Sequence, residues 1–235
     1  MKEYFYEKYV SSGQAGNEKN EIGKQPYFDF LFKCFFSEHK RDSNILDIGC
    51  GSGELLVYLK SKNFINLHGV DFSKEQVALA HENDRTYIEQ GDLMEYAKNT
   101  GDGVYDVIIA KDIFEHLPLQ ELFFLAKELK RILKKGGTIV GHVPNANGIF
   151  GMKIRYGDLT HVQAFNEKSL NQLFRTVGFD HVRVIEDKPR SSGYFKTICR
   201  SFFWELFTLQ FRLLHYVETG EKRIALSSNI TFFVL

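Results

Sequence analysis

The chain has 235 residues, is 43% hydrophobic and 26% charged, and balances thirty basic against thirty acidic residues, so it carries no field that would draw in nucleic acid. This length suits a single domain, 1–235, with embellishments, and no stretch approaches the roughly eighteen uninterrupted apolar residues of a membrane span or the core of a signal peptide. Cys34, Cys50 and Cys199 are far apart and lack metal-ligand spacing, which points to reduced thiols and a cytoplasmic location, not a disulfide framework.

Residues 1–40 precede the first strand. Tyr4, Phe5, Tyr6 and Tyr9 cluster ahead of a polar stretch at 11–17, and this segment is placed to act as a lid. Residues 27–36 predict an apolar helix packed on a sheet.

Ile45, Leu46 and Ile48 then form a short apolar run that reads as a buried parallel strand. It ends in Gly49, Gly51 and Gly53, and residues 54–60 follow as a helix with an apolar face. Strand, glycine turn and helix make the nucleotide-binding unit of a doubly wound α/β domain. A dinucleotide fingerprint requires a glycine at 54, where Glu54 stands, which disfavours a dehydrogenase. The pattern is D-x-G-x-G-x-G, with Asp47 two residues ahead of the first glycine. It suits a ligand with an amino-acid end and a nucleoside end and no pyrophosphate. Here the sequence resembles the class I S-adenosylmethionine (SAM)-dependent methyltransferases, and the resemblance covers 40–187 and 225–235. It implies a Rossmann-like, doubly wound seven-stranded sheet, with SAM bound along Asp47, Gly49, Cys50, Gly51 and Gly53. N-terminal lids of the kind expected for the first residues occur in that family.

The second strand, 66–71, ends in Asp71, 71 − 47 = 24 positions after Asp47. An acid at that tip is where a doubly wound fold binds a ribose diol. Phe72 could lie against a purine, and Ser73 with Gln76 starts the next helix as a capping pair. A third strand at 86–90 leads to Gly91, Asp92 and Leu93. By resemblance, Asp92 accepts from the adenine amino group and Leu93 meets the ring; the plain alternative is a helix cap.

The fourth strand, 105–110, runs into Lys111-Asp112-Ile113-Phe114-Glu115-His116-Leu117-Pro118. Ligands of open α/β sheets lie outside the carboxyl ends of the strands. Lys111 therefore joins the cofactor set, and the loop resembles the E-H-L segment of small-molecule methyltransferases. A helix is predicted over 122–135, capped by Gly136-Gly137, with a fifth strand at 138–143.

The long connection 144–166 leaves the same edge, and connections of such length are functional or disordered. Arg155, Tyr156 and Asp158 are candidate substrate ligands. Asp158-Leu159-Thr160-His161 resembles a stretch in family members acting on quinone precursors and sugars. A helix follows to Val177, then a sixth strand at 182–185.

Residues 188–224 form a helical insertion between strands six and seven. The helix 198–218 is apolar on nearly all sides, and Ser201, Glu205, Thr208, Arg212 and His215 form one narrow polar stripe. Packing on the domain body or a homodimer through 198–218 ranks ahead of membrane association, because the stripe lacks the Lys/Arg excess of an interfacial helix. Residues 224–235 supply the seventh strand, interrupted at 227–229.

Methyl transfer to a hydroxyl requires a base, and histidine titrates near neutrality. His161 and His116 are the candidate bases, with Asp112 or Asp158 orienting the ring. No metal site is expected from acid/His spacing, although Asp112 and His161 leave a magnesium-assisted variant open. The resemblance implies a SAM-dependent O-methyltransferase acting on a small polar acceptor, a sugar or surface-glycan hydroxyl leading. The alternatives are a quinone-precursor O-methyltransferase, an amino-sugar N-methyltransferase, and a non-catalytic SAM-binding partner protein.

Overall fold

A computed structural model describes residues 21–191 and 193–235; the Tyr-rich start and the 11–17 stretch expected as a lid lie outside them. The strands are β1 (Asn44–Ile48), β2 (Asn66–Asp71), β3 (Ile88–Gln90), β4 (Tyr105–Lys111), β5 (Leu133–Pro144), β6 (Val182–Glu186) and β7 (Asn229–Val234). They form one sheet in the order β3-β2-β1-β4-β5-β7-β6. Strands β1 to β5 run parallel, and β7 lies antiparallel between β5 and β6. This is the expected Rossmann-like seven-stranded sheet. Its order reverses between β1 and β4, which opens a crevice at the carboxyl ends of those two strands.

Helices cover both faces: α1 (Glu21–Cys34), α2 (Glu54–Ser61), α3 (Lys74–Glu82), α4 (Leu93–Asn99), α5 (Leu119–Ile132), α6 (Gly151–Arg155), α7 (Glu167–Thr176) and α8 (Tyr194–Thr219). Successive strand side chains point to opposite faces, so each central strand feeds two cores. Ile45, Val107, Ile109 and Val140 pack with Phe28 and Leu31 of α1 and Leu56 of α2. Leu46, Ile108 and Ile139 pack with Leu125 and Leu129 of α5 and Phe174 of α7.

Several boundaries differ from expectation. Helix α5 ends at Ile132, and β5 starts at once, with Leu133 paired to Tyr105. Gly136-Gly137 is therefore not a helix cap. It lies inside β5, where Gly136 takes φ 78° and the pairing with β4 shifts register. The third strand begins at Ile88 instead of Thr86, and β7 begins only at Asn229.

Helix α8 departs further. Its polar stripe faces the domain: Thr208 is 2% exposed, and Arg212 bonds the Ile224 carbonyl (2.7 Å) and Glu186 (2.8 Å). The apolar side faces outward, with Phe202, Phe207 and Leu214 each more than 60% exposed. Packing of that apolar side on the domain body, one of the expected arrangements, is not what the structure shows.

Candidate active site

Gly49, Gly51 and Gly53 all take positive φ, which no side chain adopts cheaply, and they turn the chain from β1 into α2. A Cβ on Gly49 would collide with Ile113 at 2.0 Å, so the turn packs directly under the loop that follows β4. Asp71, at the tip of β2, ties this turn down. It accepts from the Gly51 amide (2.7 Å) and from the Ser73 amide (2.8 Å). Ser73 in turn accepts from the Gln76 amide at 3.4 Å, starting α3 as expected. Asp92 caps α4, taking the amides of Met94 (2.8 Å) and Glu95 (3.0 Å) on one oxygen, while Leu93 opens the helix. Gly91, just ahead of Asp92, has open space where a side chain would be. The ends of β1, β2 and β3 thus present Asp47, Asp71 and Asp92 along one rim.

Asp47 is 3% exposed, and burial pushes its carboxyl up to about 8, with Lys111 pulling it down and Asp71 pushing it further up. Lys111 closes β4. Burial opposes its charge, but the salt bridge to Asp112 holds the ammonium above its ordinary range. Asp112 also takes Nδ1 of His142 on β5, and the same ring reaches Asp187 through Nε2 at 3.3 Å. Arg190 pairs with Asp187, and Tyr27 of α1 meets the His142 ring edge-on at 5.2 Å. Burial opposes protonation of His142, yet the carboxylates of Asp112 and Asp187 lift it to about 9. A charged chain therefore runs beneath the crevice from β4 to the segment after β6.

A second group gathers on the 3-10 turn Phe114–His116. The amide of Val162 donates to the Glu115 carbonyl (2.8 Å), which folds the 144–166 connection back onto this turn. Asn145, 1% exposed, pins the start of that connection by donating to the carbonyls of Ala225 (2.9 Å) and Ser227 (2.8 Å). The His116 and His161 rings consequently meet at 4.6 Å between centroids. Thr160 donates to Asp158 (2.6 Å) and accepts from Nδ1 of His116 (2.8 Å). His161 donates from Nδ1 to the Ile154 carbonyl at 3.1 Å. Burial, with His161 alongside, pushes His116 down to about 4, and burial lifts Glu115 to about 8.

The expected residues divide between these groups. His116, His161 and Asp158 come together, with Asp158 acting on His116 through Thr160. Asp112, expected beside a candidate base, orients His142 instead. Tyr156 is 68% exposed and lies under the Arg155 guanidinium at 4.9 Å, on the outer side of the connection. The sequence reading passed over Glu115, Thr160, His142, Asp187 and Tyr27. Glu115 was legible as the acid before His116. Thr160 lies within the Asp158–His161 stretch already singled out, while His142, Asp187 and Tyr27 lie on separate elements that no local pattern joins.

A model of the methyltransferase domain family matches residues 21–184. Among curated relatives, the chain is 29% identical over 102 residues to 27-O-demethylrifamycin SV methyltransferase of Amycolatopsis mediterranei, covering 40% of this chain and 36% of the relative. It is 29% identical over 108 residues to ajmaline N-methyltransferase of Rauvolfia serpentina, covering 43% and 36%. The chain thus spans about a third of the length of these two relatives. Among solved structures, a SAM-dependent methyltransferase from Archaeoglobus fulgidus superposes with a TM-score of 0.67 at 18% identity, covering 93% of this chain and 99% of that one.

Proposed function

The chain belongs to the methyltransferase domain family, the class I SAM-dependent enzymes, and from that premise we propose that it methylates a hydroxyl of a small polar acceptor, with a sugar as the leading class. The observation that carries the cofactor half is the rim of three acids, Asp47, Asp71 and Asp92, around a glycine turn at the sheet's switch point. The donor set fits SAM. Asp71 has lone pairs left for a ribose diol, buried Asp47 suits an ammonium, and the open space at Gly91 leaves room for an adenine against Phe72 and Leu93. Gly51, Gly53, Cys50 and Gln76 shape the floor, and Lys111 sets the charge beneath it. When bound, SAM supplies an electrophilic methyl on a cationic sulfur.

The acceptor half rests on the second group. A neutral alcohol is a poor nucleophile and needs a proton acceptor within reach. In both His116 and His161 the hydrogen-bonded Nδ1 carries the proton, so Nε2 carries the lone pair. Asp158 and Thr160 hold the His116 ring in that tautomer. Two relatives carry names for O- and N-methylation respectively, so the hydroxyl is argued from these imidazoles.

The test is transfer of a labelled methyl from SAM to pools of sugar nucleotides and glycans, beside SAM binding by calorimetry. Label in a hydroxyl product supports the proposal. SAM binding without label in these pools removes the sugar reading and leaves the quinone-precursor and non-catalytic alternatives, and no SAM binding removes them all.

Helix α8 supports a second copy of this chain as partner. Between residues 201 and 217 it carries two formal charges, Glu205 and Arg212, and both are paired inside the subunit with Lys188 and Glu186. The outward face therefore has no charge to select an acidic or basic partner or an anionic lipid surface. It is an apolar patch of the kind that marks an interaction surface, and a two-fold contact with another copy would cover it. Among the described residues, no helix is long and apolar enough to cross a membrane.

A further inference from the structure

We infer that Glu115, His116 and His161 form a binding site for one divalent transition-metal ion of the zinc type. One ligand atom from each of the three residues lies within 4.8 Å of the other two. Glu115 is 1% exposed, and its Oε2 has no hydrogen-bond partner. A buried carboxylate oxygen without a donor is costly, and native structures rarely keep one unless something compensates it.

The histidines add the second argument. The carbonyl of Ile154 can only accept, so Nδ1 of His161 carries a proton. Thr160 gives its hydroxyl proton to Asp158 and so accepts from Nδ1 of His116. In each ring the lone-pair nitrogen is Nε2. Two imidazoles, each with its lone pair on Nε2, and a carboxylate are thus brought together from two separate segments. The two imidazoles are electron-pair donors as they stand, and Glu115 becomes one on giving up the proton that its burial favours, as metal ligands do on binding. A cation at this point would answer the Glu115 oxygen that has no donor.

The donor types select the ion. Imidazole nitrogens suit zinc and its neighbours, whereas magnesium prefers oxygen. Two imidazoles and one carboxylate leave a coordination position open, as in catalytic zinc sites. The chain from Asp158 through Thr160 to His116 is the outer support that metal-bound histidines carry. An ion held here would occupy both Nε2 lone pairs, so it would replace an imidazole base by acidifying an acceptor hydroxyl in the open position; that consequence rests on the methyl-transfer proposal, while metal binding does not.

The test uses the full chain without an affinity tag, stripped with a chelator and assayed without SAM. Co²⁺ is titrated by visible absorption and Zn²⁺ by calorimetry. The expected result is one equivalent of Co²⁺ with the spectrum of a low-coordinate, imidazole-ligated ion, displaced by Zn²⁺. Glu115→Gln and His161→Ala should weaken binding by at least about tenfold, and Thr160→Val by roughly 10–100-fold through loss of outer support. His215→Ala, on α8, should leave it unchanged. Thermal melts check that each variant folds. A wild-type chain with no saturable Co²⁺ or Zn²⁺ uptake overturns the assignment whatever the variants do. So does wild-type affinity in folded Glu115→Gln and His161→Ala. Uptake of Mg²⁺ alone overturns the nitrogen-donor set. Because SAM is absent, these failures are distinct from a failure of methyl transfer.

Discussion

Asp112, held at a positive φ of 56° at the end of β4, shares a hydrogen bond with Nδ1 of His142 on the adjacent strand. Positive φ is costly for a side chain that is not glycine, and it persists only where surrounding contacts hold it. Here the Asp112 amide bonds the His142 carbonyl at 2.9 Å, and its carboxylate bridges Lys111 and His142. Backbone and side chain together lock the loop that carries Glu115 and His116.

A pH dependence of stability follows. The groups acting on His142 are Asp112, Lys111, Glu115, Asp187 with its partner Arg190, and the Tyr27 ring. Its folded pKa of about 9 exceeds the ordinary value near 6.5. Its stabilising contribution is thus complete below about 6.5 and is lost as pH rises through about 9, amounting to on the order of 3 kcal/mol. Asp47, raised to about 8, adds a fall over the lower part of that range. Melting temperatures from pH 6 to 10 should decline for the wild type. In His142→Gln the decline between about 6.5 and 9 should flatten, most clearly from about 8 to 9, above the Asp47 range. Parallel curves for the two proteins would remove His142 as the source.

Asp47 gives a prediction about binding itself. With its carboxyl raised to about 8 by burial, the ligand-free protein holds a proton there near neutrality. Binding a cationic ligand beside it favours the carboxylate, so SAM should release close to one proton at pH 7. Calorimetry in phosphate and in Tris should then give different apparent enthalpies. Asp47→Asn should bind more weakly and abolish the difference. Identical enthalpies in the two buffers for the wild type would contradict a protonated Asp47.

Asp71 carries the complementary case. Its two oxygens already accept from Gly51 and Ser73, so it both shapes the glycine turn and faces the crevice. Asp71→Ala should weaken SAM by roughly 1.5–3 kcal/mol, the worth of charge-assisted hydrogen bonds. Asp71→Asn, which keeps one acceptor, should fall between. Unchanged affinity in a folded Asp71→Ala protein would sink the ribose assignment.

These sites were unequally legible in the sequence. The glycine turn, strands β1, β2 and β4, and the acids at the strand tips were readable because each signal is local: an apolar run, a positive-φ glycine, an acid at its end. Helix α5 was misplaced at both ends. Gly136-Gly137 looked like a cap, but the helix ends at Ile132 and Leu133 already pairs with Tyr105. The period of α8 was legible in its polar stripe, and the stripe left open whether the apolar face meets the domain body or a second copy. Hydrophobic periodicity says which residues share a face and assumes the apolar face is buried, an assumption this helix breaks. The Tyr27–His142–Asp187 contacts join residues far apart in the chain, and only the sheet order brings them together.

The two histidines can be separated by kinetics. If one acts as base toward an acceptor hydroxyl, its alanine variant should lose about 10²–10⁴ in turnover while SAM affinity holds. His161 lies on the surface connection, so His161→Ala should fold without loss of melting temperature. His116 is 6% exposed and supports Thr160, so His116→Gln is the gentler substitution. A loss confined to one variant assigns the base. A loss of only a few-fold in both would show that the chain works by positioning alone.

The last prediction concerns α8. Leu206, Phe207 and Leu214 are each more than half exposed on a helix whose polar side is anchored to the domain. The helix runs 26 residues, close to 40 Å at about 1.5 Å per residue, so two copies laid side by side could bury a standard-sized interface. Light scattering of the wild type should then give twice the mass of one chain. Leu206→Glu and Phe207→Glu place a charge at the centre of the contact and should shift the species to the monomer, without lowering the melting temperature of the domain itself. The outward position makes this separable from misfolding, because neither side chain belongs to either core of the sheet. Glu205→Gln, on the anchored side, should leave the dimer intact. A wild-type chain that is monomeric at every concentration, and that partitions onto neutral lipid vesicles unless Phe207 is replaced by Glu, would assign the face to a membrane surface instead.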